Sequence, residues 1–308
     1  MSLVSVNKKQ AARFRFLSGK KVSMFLGIIL CMLMTLMPAS CQKEERLEIS
    51  FLDVGQGDAV LVSQGNTQIL IDGGPSPQAL MRELSSKMGY FDRTIEVVVL
   101  THAHADHING LLEVLRRYNV LHVIYPAEDD GLAGYESLAY QEWLTLIAEK
   151  QIPSTIAQEG MTFSMGEAVF TVLNPPDNLY KGTTSDIDNN SIVLELVAGK
   201  YSFLFTGDLM WQGEMELVLN RKIKPVNVLK VAHHGSKTSS SLEFLSVIRP
   251  NSAVICVGEN NFGHPDGNVI ERISSFTRDG AIFRTDDYRG VSFLTDGASL
   301  WMKTGNNY

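Results

Sequence analysis

From residue 47 onward the chain alternates between two patterns: short apolar runs bounded by glycine, proline and polar residues, and longer stretches whose apolar side chains return every three or four positions. The first pattern predicts strands and the second amphipathic helices. Strands are expected at 47–54, 59–62, 68–71, 97–100 and 121–125, with helices at 78–88, 108–118 and 135–150 among them. A second series of strands is expected at 155–156, 161–163, 168–173, 191–197 and 201–206. Helices at 212–221, 240–248 and 268–279 then interleave with strands at 226–232, 253–257, 281–284, 291–294 and 299–303. Strand runs with intervening helices predict two sheets sandwiched between helices. The stretch 181–190, rich in Thr, Ser, Asp and Asn, reads as a surface loop. No repeat or linker divides the chain, so residues 41–308 are expected to form one domain.

The first forty residues follow a different rule. Lys8, Lys9, Arg13, Arg15, Lys20 and Lys21 precede an apolar run at 22–37, and Pro38, Ala39 and Ser40 lead into Cys41. This is the layout of an export signal. The run is shorter than the roughly 20 residues of a membrane-spanning helix, and a signal anchor that is never cleaved is the alternative. Small residues before Cys41 resemble a bacterial lipoprotein signal, although Pro38 stands where such signals prefer leucine. The expected location is therefore outside the cytoplasm, anchored to the outer face of a bacterial membrane or secreted.

Removing residues 1–40 leaves 21 Lys and Arg against 34 Asp and Glu, a net charge of −13. Extended binding to nucleic acid through many phosphates usually needs a basic surface, so that class is disfavoured. A cationic centre holding a single phosphodiester is not. Cys31 lies in the leader, Cys41 at the proposed processing site and Cys256 in the apolar run 253–257, so no disulfide pair survives processing and Cys256 reads as a small buried residue.

The candidate chemistry begins at His102-Ala-His104-Ala-Asp106-His107, directly after the apolar run 97–100. Imidazole and carboxylate are donors for Zn²⁺, Mn²⁺ and Fe²⁺. In an extended segment His102 and His104 share one side and can reach one ion, while Asp106 and His107, in the following turn, can reach a second. Four further segments end apolar runs with polar residues. Asp72, before Gly73 and Gly74, either orients the cluster by accepting hydrogen bonds or opens a turn. Asp208, after Gly207, is a candidate ligand between two ions. Of His233 and His234, the second is favoured as ligand and the first as a substrate-facing or proton-transferring group. His264 in Gly263-His264-Pro265 either touches the scissile group or caps the following helix.

In this order the segments resemble the metallo-β-lactamase superfamily, and more closely the hydrolase-like domain at the C-terminal end of ComEC-type competence proteins. The resemblance rests on Phe51-Leu-Asp-Val-Gly-Gln-Gly-Asp58-Ala, residues 69–74, 101–110, 190–194, 204–209, 229–236 and 261–265. It implies an αββα sandwich with His102 and His104 on one metal, Asp106 and His107 on the other, Asp208 bridging, and His233 or His234 completing the second. Many members supply a third histidine to the first metal. Here the only intervening histidine is His122, which reads as structural, and the matching region carries Asp188-Asn189-Asn190-Ser191. The first metal would then have two histidines, Asp208 and solvent.

The resemblance implies two divalent ions, Zn or Mn, and a bridging hydroxide that attacks a phosphoryl or carbonyl centre. Asp106, His233 and His264 are the expected catalytic residues, with Lys237 or Arg289 as phosphate contacts. The expected function is an exported phosphodiesterase or nuclease acting on a phosphodiester, with DNA among the possible substrates. The alternatives are a hydrolase of a small lactone, thioester or β-lactam and a metal-binding surface lipoprotein without catalysis. The membrane is an expected partner through a lipid or signal anchor, and no protein partner is inferred.

Overall fold

A computed structural model describes residues 45–127 and 137–305. The leader, with Cys31 and Cys41, lies outside the described residues, as does the start of the helix expected at 135. Among the described residues no helix is long and apolar enough to cross a membrane.

The first half runs β1 (Leu47–Phe51), β2 (Val60–Gln64), β3 (Thr67–Ile71), α1 (Pro77–Lys87), β4 (Thr94–Ile95), β5 (Val97–Val99) and α2 (Ala105–Arg117). It continues with β6 (Asn119–Val120), β7 (Val123–Tyr125), α3 (Leu138–Glu149) and β8 (Ser154–Ile156). The second half runs β9 (Thr162–Met165), β10 (Ala168–Asn174), α4 (Asp186–Asn189), β11 (Val193–Ala198), β12 (Tyr201–Phe205), α5 (Trp211–Leu219) and β13 (Val228–Lys230). Then come α6 (Leu242–Ile248), β14 (Ser252–Ile255), α7 (Gly267–Ser274), β15 (Ile282–Arg284), α8 (Thr285–Tyr288), β16 (Val291–Thr295) and β17 (Leu300–Thr304).

The strands form an eight-stranded sheet in the order β17-β16-β1-β2-β3-β5-β7-β8 and a seven-stranded sheet in the order β15-β14-β13-β12-β11-β10-β9, with β4 and β6 paired separately. Period-two alternation builds the layers. Ile69 and Ile71 of β3, with Phe203 and Phe205 of β12, enter the core between the sheets, where Phe51 and Phe293 meet edge-on at 6.1 Å. Leu70 and Val98 point the other way, onto Leu80 and Leu84 of α1 and Leu111 and Leu115 of α2. Leu204 and Leu229 face the helices of the second half through Leu217, Leu245 and Ile273. Three apolar layers between two helical faces are the expected αββα sandwich. The late strands β16 and β17 return to the first sheet, where β16 pairs with β1.

Two expectations need correction. The stretch expected as a surface loop at 181–190 ends in α4, and Ile187, Asp188, Asn189 and Asn190 are buried. Its amides replace water with protein: the Asn190 side chain donates to the Tyr180 and Asp186 carbonyls and accepts from the Tyr180 amide. The helix expected at 108 begins at Ala105, so Asp106 and His107 occupy its first turn.

The position of α2 depends on a close approach between backbones. Gly110 donates to the Gly74 carbonyl at 3.0 Å, the Gly73 amide donates to the His107 carbonyl at 2.8 Å, and a Cβ on Gly110 would lie 1.9 Å from the Gly73 oxygen. Gly110→Ala should therefore push away the helix that carries Asp106 and His107. The expected loss is about 1–3 kcal/mol of stability, the cost of overpacking, read by denaturant unfolding and accompanied by weakened metal retention.

Candidate metal centre

The loops that follow β3, β5, β12 and β13 meet at one edge of the sandwich, where parallel strands of both sheets end. Asp72 follows β3, His102 to His107 follow β5, Asp208 follows β12, and His233 and His234 follow β13. Residues far apart in sequence therefore converge because strands of the two sheets stop at the same level.

Two groups of donors share Asp208. His102, His104, Asp188 and Asp208 form one; Asp106, His107, Asp208 and His234 form the other, and within each the donor atoms lie within 4.8 Å of one another. His104 Nδ1 is 3.0 Å from Asp188 Oδ1, and His102 Nε2 is 3.5 Å from the same oxygen. His107 Nε2 is 3.4 Å from Asp208 Oδ1, while His234 Nε2 is 3.2 Å from Asp106 Oδ2 and 3.4 Å from Asp208 Oδ2. Asp188 is the residue that sequence reasoning missed. The segment departs from the family pattern, but nothing in a run of Asp and Asn distinguishes a buried donor from a turn.

The imidazoles are held by their far nitrogens. His107 Nδ1 meets Asp72 Oδ2 at 2.8 Å, and His234 Nδ1 donates to the Cys256 carbonyl at 2.9 Å. Thr101 donates to Asp72 and thereby accepts from His102 Nδ1 at 3.1 Å. Each bond fixes the tautomer that turns an Nε2 lone pair toward the centre, the arrangement metal-bound histidines use. His107 Nε2, His234 Nε2, Asp188 Oδ1 and Asp208 Oδ1 are all buried without a hydrogen-bond partner. Lone pairs facing carboxylate oxygens repel unless a cation stands between them, a proton when the site is empty of metal or a metal ion that displaces it, so the donor set fits a metal.

Charge leads to the same conclusion. With the imidazoles neutral, Asp58, Asp72, Asp106, Asp188 and Asp208 face a single buried ammonium, that of Lys230, which pairs with Asp58 and donates to the Gly207 carbonyl at 2.8 Å. Four negative charges remain, the charge of two divalent cations, and leaving them unbalanced in a buried site would cost several kcal/mol per ion. Burial lowers the affinity of His102 for protons well below the ordinary value and keeps it a neutral donor. Burial would do the same to His107 and His234, but Asp208, with Asp72 or Asp58, outweighs it and holds both imidazoles well above that value. Burial would raise Asp208, yet His234, His107 and His233 hold it well below the usual carboxylate range.

His233 and His234 do not lie in an extended segment. Both have positive φ (50° and 52°), inside a tight turn from Ala232 to Gly235. Such geometry costs of order 1–3 kcal/mol per non-glycine residue and persists only when neighbours impose it. Here the His233 amide donates to the Gly207 carbonyl and Ser239 Oγ to the Ala232 carbonyl. The turn buries His234 and leaves His233 at the rim, 3.8 Å from Asp208 Oδ2. His104 is 40% exposed on the same rim, and His264 meets His233 edge-on at 5.6 Å between centroids. The capping alternative for His264 fails, because Asp266 caps α7. His122 bonds to Thr155 at 2.8 Å outside the site, and Cys256 is buried, as expected.

Comparison with known proteins agrees with this geometry. The family model of the metallo-beta-lactamase superfamily matches residues 52–174. The chain carries a metallo-β-lactamase superfamily domain. It is 28% identical over 291 residues to ComE operon protein 3 of Bacillus subtilis, covering 88% of this chain and 36% of that protein. It is 30% identical over 234 residues to Recombination protein 2 of Haemophilus influenzae, covering 74% and 26%. The chain thus spans about a third or less of these curated relatives. Among solved structures, the metallo-beta-lactamase fold protein YhfI of Bacillus subtilis aligns with a TM-score of 0.54 at 13% identity, covering 84% of this chain and 100% of its own. CmlA of Streptomyces venezuelae, described as a diiron β-hydroxylase, aligns with a TM-score of 0.54 at 15% identity over 82% and 54%. These likenesses establish a metallo-β-lactamase fold.

Asp188→Ala is expected to reduce bound metal from two ions to one per chain, and Asp208→Ala to remove both, as measured by elemental analysis of the purified protein. Because His107 and His234 hold protons above their ordinary range, a chelated protein should release protons when metal returns, and uptake should tighten as pH rises. Calorimetry in two buffers of different ionisation enthalpy measures that release.

Proposed function

We propose that the domain is a metal-dependent phosphodiesterase acting outside the cytoplasm. The observation that carries this reading is the convergence of six buried or half-buried donor residues on the shared Asp208, with one side open to solvent. His102, His104, Asp188 and Asp208 would hold one ion and Asp106, His107, His234 and Asp208 the other. A pair of divalent cations supplies Lewis acidity and brings the pKa of bound water near neutrality.

The chain's own residues do the rest. Asp72, Thr101 and the Cys256 carbonyl fix the three imidazole tautomers, so no donor has to reorient during turnover. Asp106 and His104 border the opening through which a substrate reaches the centre. His233 faces that opening, and its Nδ1 meets Thr238 Oγ1 at 3.2 Å, which leaves Nε2 free to carry a proton to the departing oxygen. His264 packs beside it and completes the polar rim. Lys237, exposed three residues beyond His234, is placed to meet a phosphate.

A phosphodiester is favoured over other esters because relatives are named as competence and recombination proteins. The acidic surface argues for engagement of one phosphodiester at the centre rather than a long polyanion track. Residues 1–40 read as the export signal, with the membrane reached through that segment.

The test is hydrolysis of bis(p-nitrophenyl) phosphate and single-stranded DNA by the purified chain loaded with Zn²⁺ or Mn²⁺. His104→Ala and Asp208→Ala should each lower kcat/KM by about 100-fold or more, in the range lost when metal ligation or transition-state charge stabilisation is removed. His233→Ala should lower kcat more than it raises KM. Activity that survives Asp208→Ala would overturn the reading, and tight metal retention without turnover of any ester would favour a binding protein.

A further inference from the structure

The edge opposite the metal centre has its own pattern. Residue 45 enters the fold there, because β1 begins at that edge, level with the start of β3 and the end of β16. Tyr90 and Phe91 are 83% and 91% exposed on the loop after α1 and meet edge-on at 4.9 Å. Lys87, three residues before Tyr90, pairs with Glu48 of β1 at 3.0 Å, so this loop stands beside the point of entry. On the other flank Trp301, 39% exposed at the start of β17, lies under the Arg46 guanidinium at 4.2 Å, with Met302 exposed next to it. Arg93, Arg116, Arg117 and Lys150 border the same edge, with Arg116 paired to Glu113 and Glu142 and Arg117 to Glu113: the Asn119 amide donates to the Arg93 carbonyl and Lys150 Nζ to the Arg116 carbonyl.

Rings beside cations, around the place where a chain leaves an apolar segment, match the aromatic belt of a membrane interface. The tether is short. From Cys41 to residue 45 the chain reaches at most about 14 Å, and from the end of the apolar run at residue 37 about 28 Å. A protein held there cannot turn its far edge to the bilayer without pulling the fold away from its own anchor. We infer that the edge carrying Tyr90, Phe91 and Trp301 lies against the lipid surface, so that the metal centre faces away from the membrane. This rests on the export reading above. It fixes which substrates can approach: soluble phosphodiesters from the surrounding medium, not the headgroups of the bilayer that carries the protein.

The experiment uses native tryptophans in the full chain, reconstituted in vesicles of phosphatidylcholine and phosphatidylglycerol with or without brominated acyl chains. Trp143 is buried, Trp211 begins α5 near the metal centre, and Trp301 lies at the proposed membrane edge. In the Trp211→Phe variant, bromolipid should quench roughly half of the Trp301 emission, while the Trp301→Phe variant should lose less than about a tenth. Phe91→Trp in the doubly substituted Trp211→Phe, Trp301→Phe chain should restore quenching, which guards against a misfolded β17. Equal quenching of both reporters, or stronger quenching of Trp211, would overturn the orientation while leaving the anchor intact. A chain that fails to float with the vesicles would overturn the anchor and the orientation together.

Discussion

Asp208 stands where the two sheets end together, and its carboxylate faces four imidazoles and the ammonium of Lys230. In a low-dielectric interior such a cluster is stable only when its charges balance and its lone pairs find partners. The protein balances part of the charge itself, with Lys230 against Asp58, and leaves the rest for cations. Much of the surrounding architecture keeps the donors in place. Asp72 joins Thr101 and His107, so the ends of β3 and β5 and the start of α2 are tied to one carboxylate. The strained turn at His233 and His234 is fastened to Gly207 and to the Cys256 carbonyl, which ties β12, β13 and β14 to the same point.

The division of labour between the donors follows from burial. His102, His107, Asp208 and His234 are enclosed and form the floor of the centre, whereas His104, Asp106 and His233 are partly exposed and form its rim. Floor residues have no freedom to hydrogen-bond with water, so their orientation is set before any substrate arrives. Rim residues keep contact with solvent, as the proposed proton transfer and substrate entry would require. The opposite edge, with its rings around the entry of residue 45, makes the two ends of the fold chemically distinct, one bearing exposed aromatic side chains and the other buried imidazoles and carboxylates.

Much of this was legible in the sequence because the relevant signals are local. Period-two runs such as 69–71 and 203–205 set the layers, and the donors of the His102 to His107 cluster are adjacent by sequence. Asp72, Asp208 and His234 were legible because each closes an apolar run with a polar residue. Asp188 was not, since its place depends on how α4 is pinned: the Asn174 side chain donates to the Asn189 and Ser191 carbonyls, and the Asn189 side chain accepts from the Gly213 amide. The positive φ angles at His233 and His234 were also invisible, because β13 ends earlier than its apolar pattern and the turn is imposed by Gly207 from another strand. Asp58 closes the run Gly55-Gln56-Gly57, but its task becomes apparent only when Lys230 is brought against it.

The central claim is that one carboxylate organises two cation sites, and anomalous diffraction from crystals soaked in Mn²⁺ tests it most directly. The account predicts two peaks about 3.5–4 Å apart, both within bonding distance of Asp208, one beside His104 and Asp188 and the other beside Asp106 and His234. A single peak, or two peaks of which either lacks Asp208, would contradict it.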